Sequence, residues 1–203
     1  ARHRAATSVL ALGSRLGCVG AAAAANRGFG VRHGALQFAR SNNGTKKACG
    51  FEYIARWGLA VADGNLGRLA IGMFGTASAI SASVAMTTLT DCVFIGKDDG
   101  DANLSIYCND GTGTAVKTSL GASFPGNTSS ADMYETRIGC LPDGTTIFWS
   151  IENLVTGAFT EGGFTTDIPA ATTLLSPQIF GSTGTSTVQM GIDIVSQYVE
   201  SDF

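Results

Sequence analysis

The segment from Asp98 to Asp110 concentrates the residue types that bind metal ions. Six carboxylate or amide side chains stand within its thirteen positions: Asp98, Asp99, Asp101, Asn103, Asn109 and Asp110. Oxygen ligands suit calcium, and the alternation of Asp99, Asp101 and Asn103 resembles the start of a helix–loop–helix calcium loop. That loop needs glycine at its sixth position and a bidentate glutamate at its twelfth, where this chain has Leu104 and Asp110.

A strand pattern runs through the middle of the same segment. Apolar and polar residues alternate over residues 104–108, and a strand there would spread the ligands over about 17 Å. The polar residues then belong to a turn before the strand and a hairpin after it, since Asp110-Gly111 supplies the positive φ that a tight turn needs. We expect a structural turn. Any weak calcium site is assigned to three residues before the strand: Asp99, Asp101 and Asn103.

The end of this strand also carries the pattern of a sugar site. An exposed aromatic ring can stack on the C–H face of a sugar, while nearby Asn and Asp side chains bond to its hydroxyl groups. Tyr107, Asn109 and Asp110 fit that pattern and are the candidate glycan-binding residues. The alternative is that Tyr107 packs in the core, which is the usual place of an aromatic residue on a strand.

The sequence lacks the motifs of the common catalytic sites. A sandwich glycosidase can hold its two carboxylates on an E-x-D-x-x-E strand, and no such run occurs; Glu200 and Asp202 stand at the chain end. A serine hydrolase needs a G-x-S-x-G turn and a histidine, but the motif is missing and the histidines are His3 and His33. No phosphate-binding G-x-x-x-x-G-K-[ST] loop occurs either. We therefore predict that the protein is not an enzyme.

A series of short strands must position these residues. Alternating segments separated by Gly and Asp turns recur at intervals of about 8 to 12 residues. Strands are predicted at 15–21, 49–58, 67–75, 91–98, 103–109, 114–121, 134–141, 146–154, 158–165 and 188–200, with a weaker candidate at 35–40. Residues 76–90 are predicted as a loop or short helical turn. This spacing indicates an all-β antiparallel sandwich or barrel.

Length and composition are those of one globular domain. The chain has 203 residues, of which 44% are hydrophobic and 14% charged, enough for one sizeable core. We expect residues 1–203 to form a single β-sandwich domain, with a basic arm at 1–14 that continues from a preceding region. The longest helix-compatible apolar run, residues 18–25, is far shorter than the about 20 residues of a membrane span. No membrane partner is predicted.

Charge is distributed unevenly along the chain. Residues 1–60 contain nine Lys and Arg and one acid, whereas residues 61–203 contain four Lys and Arg and fifteen acids. A nucleic-acid-binding arm is one interpretation, but aromatic residues do not interleave with the basic ones as a stacking surface requires. We favour complementary faces, within one fold or between neighbouring subunits, and predict no nucleic-acid partner.

The five cysteines are widely spaced. They are Cys18, Cys49, Cys92, Cys108 and Cys140. Their odd number and the lack of a C-x-x-C pair argue against a structural zinc site. Most stand in apolar stretches, where a cysteine is usually a small buried hydrophobe, so we predict five free thiols made in a reducing cytoplasm.

Longer segments have a distinctive order. They read "CGFEYIARWG", "GRLAIGMFG", "ANLSIYCNDGTGTAVKTSLGASFPGNT", "YETRIGCLPDGTTIFWSIENLVTGAFTEGGFTTDIPAATTLLSPQIF" and "IDIVSQYVESD". Together they resemble a C-terminal domain of tailed-bacteriophage virion proteins, which are called tail fibre, head fibre or minor structural proteins. The resemblance extends from about Arg15 to Asp202. Its most specific parts are "NDGTGTAVKTSLGASFP", "IPAATTLL" and "YVESD".

This resemblance implies a concanavalin A-like jelly roll that acts as a fibre or decoration domain of a virion, made in the host cytoplasm. It implies contacts with other copies of the chain, often as a trimer, with other virion proteins, and with glycans on the host surface. It implies no catalytic motif. We predict no cofactor other than calcium at the weak site described above. The alternative is a bacterial lectin-like carbohydrate-binding module or a glycan-active enzyme. In a trimer, we expect the basic residues Arg2 and Arg4 at or near the interface.

Overall fold

The computed structural model describes residues 15–20, 24–41, 49–61 and 66–202. Regular structure within them consists of twelve strands and a 3-10 turn at Met86–Thr88. The strands are β1 Leu16–Val19, β2 Gly28–Arg32, β3 Cys49–Val61, β4 Arg68–Phe74, β5 Cys92–Lys97, β6 Ser105–Asn109, β7 Val116–Ser119, β8 Tyr134–Cys140, β9 Ile147–Asn153, β10 Phe159–Phe164, β11 Ser176–Ser182 and β12 Gly191–Asp202. None of these residues belongs to a helix with the length and apolar character to cross a membrane.

The strands form two six-stranded antiparallel sheets. The first sheet has the order β1-β12-β3-β8-β9-β10, and the second has the order β2-β11-β4-β5-β6-β7. Strands that are far apart in the chain, such as β3 and β12, are neighbours, so long-range pairing sets the register. The predicted all-β antiparallel sandwich of ten or more strands is confirmed.

Alternation along β3 places the main core between the sheets. Phe51, Tyr53 and Trp57 are buried in this core, whereas Glu52 and Arg56 point away from it. Alternation in the sequence indicates the same faces, with Phe51 and Tyr53 on one side of the strand and Glu52 and Arg56 on the other. From the second sheet, the core receives mainly aliphatic side chains: Leu69, Ile71, Met73, Val93, Ile95 and Ile106.

A second, smaller core lies on the opposite side of the second sheet. The loop of residues 75–91 packs against this side, with Ile80 and Met86 buried. Three stacked aromatic rings form the centre of the second core: Phe74, Phe94 and Tyr107. Both faces of the middle strands of the second sheet are therefore covered, the inner one by the first sheet and the outer one by this loop.

Strands β2 and β11 are not among the strands predicted from the sequence; they pair with each other and complete the second sheet. Both contain residues that are typical of turns, namely glycines in β2 and Pro177 in β11. Gly30 is required by close strand approach, because a Cβ there would lie 2.0 Å from the carbonyl oxygen of Ile179. The weaker candidate at 35–40 contributes one isolated bridge instead of a strand.

The turn at Asp110-Gly111 connects β6 to β7. Gly111 has a φ of 106°, and a Cβ at this position would lie 2.9 Å from the carboxylate oxygens of Asp91. The Oδ1 atom of Asp110 accepts hydrogen bonds from the backbone N–H and the hydroxyl of Thr112, both at 2.9 Å. The predicted structural turn with a positive φ at Gly111 is confirmed.

Ion pairs join the basic first part of the chain to the acidic remainder. Arg15 Nε lies 2.8 Å from Asp193 Oδ2, and Arg56 Nε lies 2.5 Å from Glu135 Oε2. The uneven charge distribution therefore produces complementary contacts within one fold, which is one of the two arrangements that the sequence predicts.

All five cysteines are free thiols. Cys92, Cys108 and Cys140 are buried, and burial raises the pKa of the Cys108 thiol to about 12. A thiol with a raised pKa carries little thiolate at neutral pH and is a poor nucleophile. These buried cysteines therefore act as small apolar side chains.

Candidate functional site

The outer face of the first sheet combines polar and aromatic side chains from five strands. Antiparallel register aligns them in three rows across β12, β3, β8, β9 and β10. The first row contains Glu200, Glu52, Gly139, Phe148 and Gly163. The second row contains Tyr198, Ile54, Arg137, Ser150 and Glu161. The third row contains Ser196, Arg56, Glu135, Glu152 and Phe159.

A cleft of about 730 Å³ lies on this outer face. Its lining includes side chains from the first two rows: Glu52, Arg137, Phe148, Ser150, Glu161 and Glu200. Gly139 and Gly163 also line it and leave the first row without side chains on β8 and β10. Its volume falls within the range of roughly 300–1,000 Å³ that is usual for small-molecule sites.

Phe148 is the exposed aromatic side chain inside the cleft. It is 50% exposed, although it belongs to a regular strand that is paired on both sides. Its two cross-strand partners are Gly139 on β8 and Gly163 on β10, so neither partner has a side chain that could cover the ring. The ring is therefore available for stacking against the apolar face of a ligand.

Two further aromatic side chains extend this surface on either side of the cleft. Tyr198 on β12 is 51% exposed, and Phe159 on β10 is 57% exposed. The Tyr198 hydroxyl donates a hydrogen bond to Glu200 Oε2, and this bond raises the pKa of Tyr198. Phe159 belongs to the third row and does not line the cleft.

Glu135 connects the two guanidinium groups of the outer face. Its carboxylate accepts from Arg56 Nε at 2.5 Å and from Arg137 Nη2 at 2.7 Å. Burial acts to raise the pKa of Glu135, but the hydrogen bonds from the two arginines outweigh it and hold the pKa below its ordinary value. The bond to Glu135 in turn raises the pKa of Arg137. Both guanidinium groups are thus held by a carboxylate of their own sheet.

Glu52 and Glu200 contribute two carboxylates to the cleft from adjacent strands. They are direct cross-strand partners, which brings like charges together. Arg137 Nη1 lies 4.0 Å from Glu52 Oε1, while Glu200 accepts from the Tyr198 hydroxyl. Together with Glu161, these side chains give the cleft a negative character.

The candidate glycan-binding residues at the end of β6 lie elsewhere. Tyr107 is 0% exposed, because the loop 75–91 covers it and its ring stacks on Phe94 with centroids 4.6 Å apart. Asn109 is also buried, and its Nδ2 donates to the carbonyl of Leu89 at 2.8 Å. Asp110 is exposed in the turn. The three residues do not share a surface, and a sugar cannot stack on Tyr107 in this arrangement.

The candidate calcium ligands are divided among other partners. Asp101 Oδ2 lies 2.7 Å from Lys117 Nζ; burial acts to raise the pKa of Asp101, but the Lys117 hydrogen bond and other contacts lower it overall. Asp99 Oδ2 lies 3.5 Å from Arg68 Nη2, and Asn103 forms an isolated bridge with Pro125. Each of these carboxylates therefore lies near a cation of the chain, Lys117 at Asp101 and Arg68 at Asp99, although Arg68 is shared with Asp98. No group of three His, Cys, Asp or Glu residues in the described ranges could hold a metal ion.

The predicted interface residues lie outside the part of the chain that the structure describes. Arg2 and Arg4 belong to residues 1–14, so their placement at a subunit interface stays a prediction. The first basic residue that is described, Arg15, pairs with Asp193 of its own chain.

Sequence reasoning does not identify the cleft as a site. The alternation of "CGFEYIARWG" predicts that Glu52 and Arg56 share a face, and this pattern is the evidence in the sequence for a polar outer face. The other lining residues come from β8, β9, β10 and β12, and only the register of those strands brings them together. Phe148 stands between the apolar residues Ile147 and Trp149. An uninterrupted apolar run does not show which of its side chains points outward.

The fold has counterparts among solved structures. Lectin II from Ulex europaeus matches with a TM-score of 0.59 and 12% identity over 87% of this chain and 82% of that chain. Lectin UEA-II complexed with galactose gives 0.57 and 11% over 93% and 99%, respectively. Arcelin-5, a lectin-like defence protein from Phaseolus vulgaris, gives 0.57 and 8% over 95% and 94%. No protein-family model and no curated protein sequence matches the chain.

These similarities concern the fold, because the sequence identities are low. The chain has the concanavalin A-like jelly-roll architecture that these lectins share. The fold class implied by the sequence resemblance is therefore confirmed, whereas site residues cannot be transferred at such identities.

Proposed function

We propose that the protein is a glycan-binding domain that acts by contact and uses the cleft on the outer face of the first sheet. We further propose that it belongs to a tailed-bacteriophage virion, as a fibre or decoration domain that is made in the host cytoplasm and adsorbs to host-surface glycans. The sequence resemblance supports the virion assignment. The fold shared with lectins, one of them solved with galactose, supports the glycan assignment.

The observation that carries the proposal is the setting of Phe148. The phenyl ring of Phe148 is half exposed between two glycines, so much of its apolar surface stays in contact with water, which is unfavourable. The ring contributes little to the core. Such a ring is suited to a sugar, whose C–H face stacks on it while hydroxyl groups reach neighbouring polar atoms. Glu52, Ser150 and Glu161 supply those atoms around the cleft.

The same geometry favours binding over catalysis. A glycosidase needs two close carboxylates, and Glu52 and Glu200 are close. The acid of such a pair is usually kept protonated by an apolar pocket, however, whereas the side chain of Glu52 is 45% exposed and Glu200 is exposed. We therefore propose that a bound glycan is released intact.

The test is a glycan array followed by calorimetric titration of the glycan that binds best. We expect Phe148→Ala to weaken binding by about five- to tenfold, because stacking on one ring contributes of the order of 1–1.5 kcal/mol. Phe159→Ala is the matched control, since it removes the same side chain at similar exposure outside the cleft, and it should change affinity less than twofold. Equal effects of the two substitutions, or no glycan bound by the full chain, would reject the proposal.

Mass spectrometry of the glycan after prolonged incubation separates binding from cleavage. An intact glycan supports the binding function. Shortened products that disappear in Glu52→Gln and Glu200→Gln would instead establish a glycan-active enzyme.

A second candidate function is a protein contact on the same face. Exposed aromatic rings beside hydrogen-bonded arginines are common in protein interfaces, and Phe148, Phe159 and Arg137 provide both features. The partner would be another copy of the chain or another virion protein. Light scattering of the wild type and Phe148→Ala tests the first partner, because loss of an oligomer in the variant would assign this face to subunit contact.

A further inference from the structure

We infer that the cleft selects glycans without carboxylate, sulfate or phosphate groups, so that its ligand is a neutral sugar chain. The inference rests on the proposed function and concerns the substrate class of that same cleft. It follows from the charges of the outer face and from the contacts that its arginines already make.

The outer face has an excess of negative charge. Its three rows contain five carboxylates, Glu52, Glu135, Glu152, Glu161 and Glu200, and two guanidinium groups, Arg56 and Arg137. The net charge of these rows is therefore −3. Three of the carboxylates line the cleft itself, against one guanidinium group.

The guanidinium group in the cleft is already paired. Arg137 Nε and Nη2 donate to Glu135 Oε1 at 2.9 and 2.7 Å, and Nη1 lies 4.0 Å from Glu52. The hydrogen bond to Glu135, with smaller contributions from the charges of Glu52 and Glu152, raises the pKa of Arg137. An arginine usually recognises a ligand carboxylate through two parallel N–H donors. Glu135 already occupies the Nε–Nη2 edge of Arg137, and an acidic sugar that approaches the remaining Nη1 donor meets the carboxylate of Glu52.

The remaining polar groups suit hydroxyl groups. Glu161 and Glu200 are exposed, and a carboxylate accepts strong hydrogen bonds from sugar O–H donors. Ser150 both donates and accepts. A neutral sugar that stacks on Phe148 can therefore direct its hydroxyl protons at these oxygens, whereas an anionic sugar brings a further negative charge to the same place.

The size of the discrimination follows from screened Coulomb repulsion. A ligand with two or three charges near a site of net charge −3 should bind about tenfold more weakly than its neutral counterpart at low salt. The difference should shrink at 1 M salt, where the Debye length is about 3 Å.

The experiment compares matched pairs of oligosaccharides by calorimetric titration of the full chain. Cellohexaose and a mannose hexamer are each titrated beside the hexamer of the same linkage whose sugars are uronic acids. We expect the neutral member of a pair to bind at least tenfold more tightly at low salt. Equal or tighter binding of the uronate would overturn the inference and leave the proposed glycan function standing. If these pairs and a glycan array show no binding of either class, the proposed function and the inference both fail.

A double variant tests whether the cleft carboxylates cause the discrimination. E161Q/E200Q keeps the shape of both side chains but removes two charges. The hydroxyl contacts that both ligands lose cancel in the ratio of neutral to uronate affinity, and this ratio should fall about fivefold or more. D167N is the control, because it removes an exposed carboxylate outside the cleft, and asparagine tolerates the φ of 53° at that position. An unchanged preference in the double variant, or an equal change in the control, would overturn the inference.

Discussion

Glu200 on β12 lies directly opposite Glu52 on β3, so two carboxylates face each other across the strand pair that borders the cleft. The same two strands carry a second outer-face pair, Ser196 opposite Arg56. The two positions offer a matched comparison, because a lysine introduced on β12 meets a carboxylate at one and a guanidinium group at the other.

We expect Glu200→Lys to stabilise the domain by about 0.5 kcal/mol, since it replaces a like-charge cross-strand pair with an opposite-charge pair. Ser196→Lys should be neutral or destabilising, since it places a second positive charge opposite Arg56. Urea unfolding at low salt measures both, and stabilisation by both substitutions would show that the register described here is wrong.

Glu135 should make stability depend on acid pH. Its folded pKa lies below the ordinary value of 4.5, so the stabilisation is present above about pH 4.5 and is lost as pH falls through the folded pKa. Glu135→Gln should cost about 1 kcal/mol at pH 7, reduced from the usual value for a charged hydrogen bond because the arginines are half exposed. The cost should be smaller at pH 3 than at pH 7, because it declines as the pH falls below 4.5 towards the folded pKa. A cost that is equal at both pH values would exclude the charge as its origin.

The turn between β6 and β7 should tolerate loss of the charge of Asp110 better than addition of a side chain at Gly111. Gly111→Val forces a β-branched residue to a φ of 106° against Asp91, and should destabilise by about 1–2 kcal/mol. Asp110→Asn should leave the unfolding midpoint unchanged, with or without calcium. Gly34→Ala is the control, because a Cβ there meets no atom within 4 Å. A calcium-dependent loss in Asp110→Asn would return the metal site to consideration.

The buried contact between Trp57 and Thr136 should be sensitive to loss of one oxygen. The indole Nε1 donates to Thr136 Oγ1 at 2.9 Å in the main core. Thr136→Val keeps the shape but leaves the indole N–H without its acceptor, which should cost about 1–3 kcal/mol. Thr118→Val on the exposed strand β7 should cost less than half of that. Tryptophan fluorescence during urea unfolding measures the free energy of unfolding of both variants. Equal losses would show that the hydrogen bond between Trp57 and Thr136 does not cause the destabilisation.

Oligomerisation stays a prediction of the sequence. We expect a trimer, with a mass three times 20.8 kDa, that weakens at high salt because basic and acidic patches meet across the interface. Arg2→Glu combined with Arg4→Glu should weaken it at low salt. Light scattering at tens of micromolar is the measurement; a monomer at both low and high salt would refute the trimer for this chain.

The sequence predicts the strands well where alternation and turn residues agree. In β3, Phe51 and Tyr53 alternate with Glu52, and both the strand and its faces are as expected. In β2 and β11, Gly30 and Pro177 imitate turns, because local composition does not reveal that a neighbouring strand requires a residue without a Cβ.

The candidate glycan site at Tyr107 illustrates a different limit. Alternation places Tyr107 on the opposite face of β6 from Ile106, as expected. It does not tell whether that face meets solvent, and the loop 75–91 covers it. The exposure of Phe148 in the cleft is not predictable from the sequence either. It depends on Gly139 and Gly163, which only the strand register makes its neighbours.

The loop 75–91, which covers the second sheet, should open separately from the cooperative unfolding of the two sheets. Isolated hydrogen bonds, and not a ladder between strands, hold the loop to the sheet. The backbone N–H of Met86 donates to Asp98 Oδ2, and the side chains of Asn109, Gln178 and Ser182 donate to carbonyls of the loop. Release of the loop would leave the sandwich between the sheets intact while the stacked rings of Phe94 and Tyr107 meet water. Amide hydrogens of residues 84–89 should therefore exchange through a local opening of lower free energy than those of β3. The partly opened molecule would expose a hydrophobic aromatic surface. Because such surfaces associate with one another, aggregation on mild heating should begin on this side of the domain.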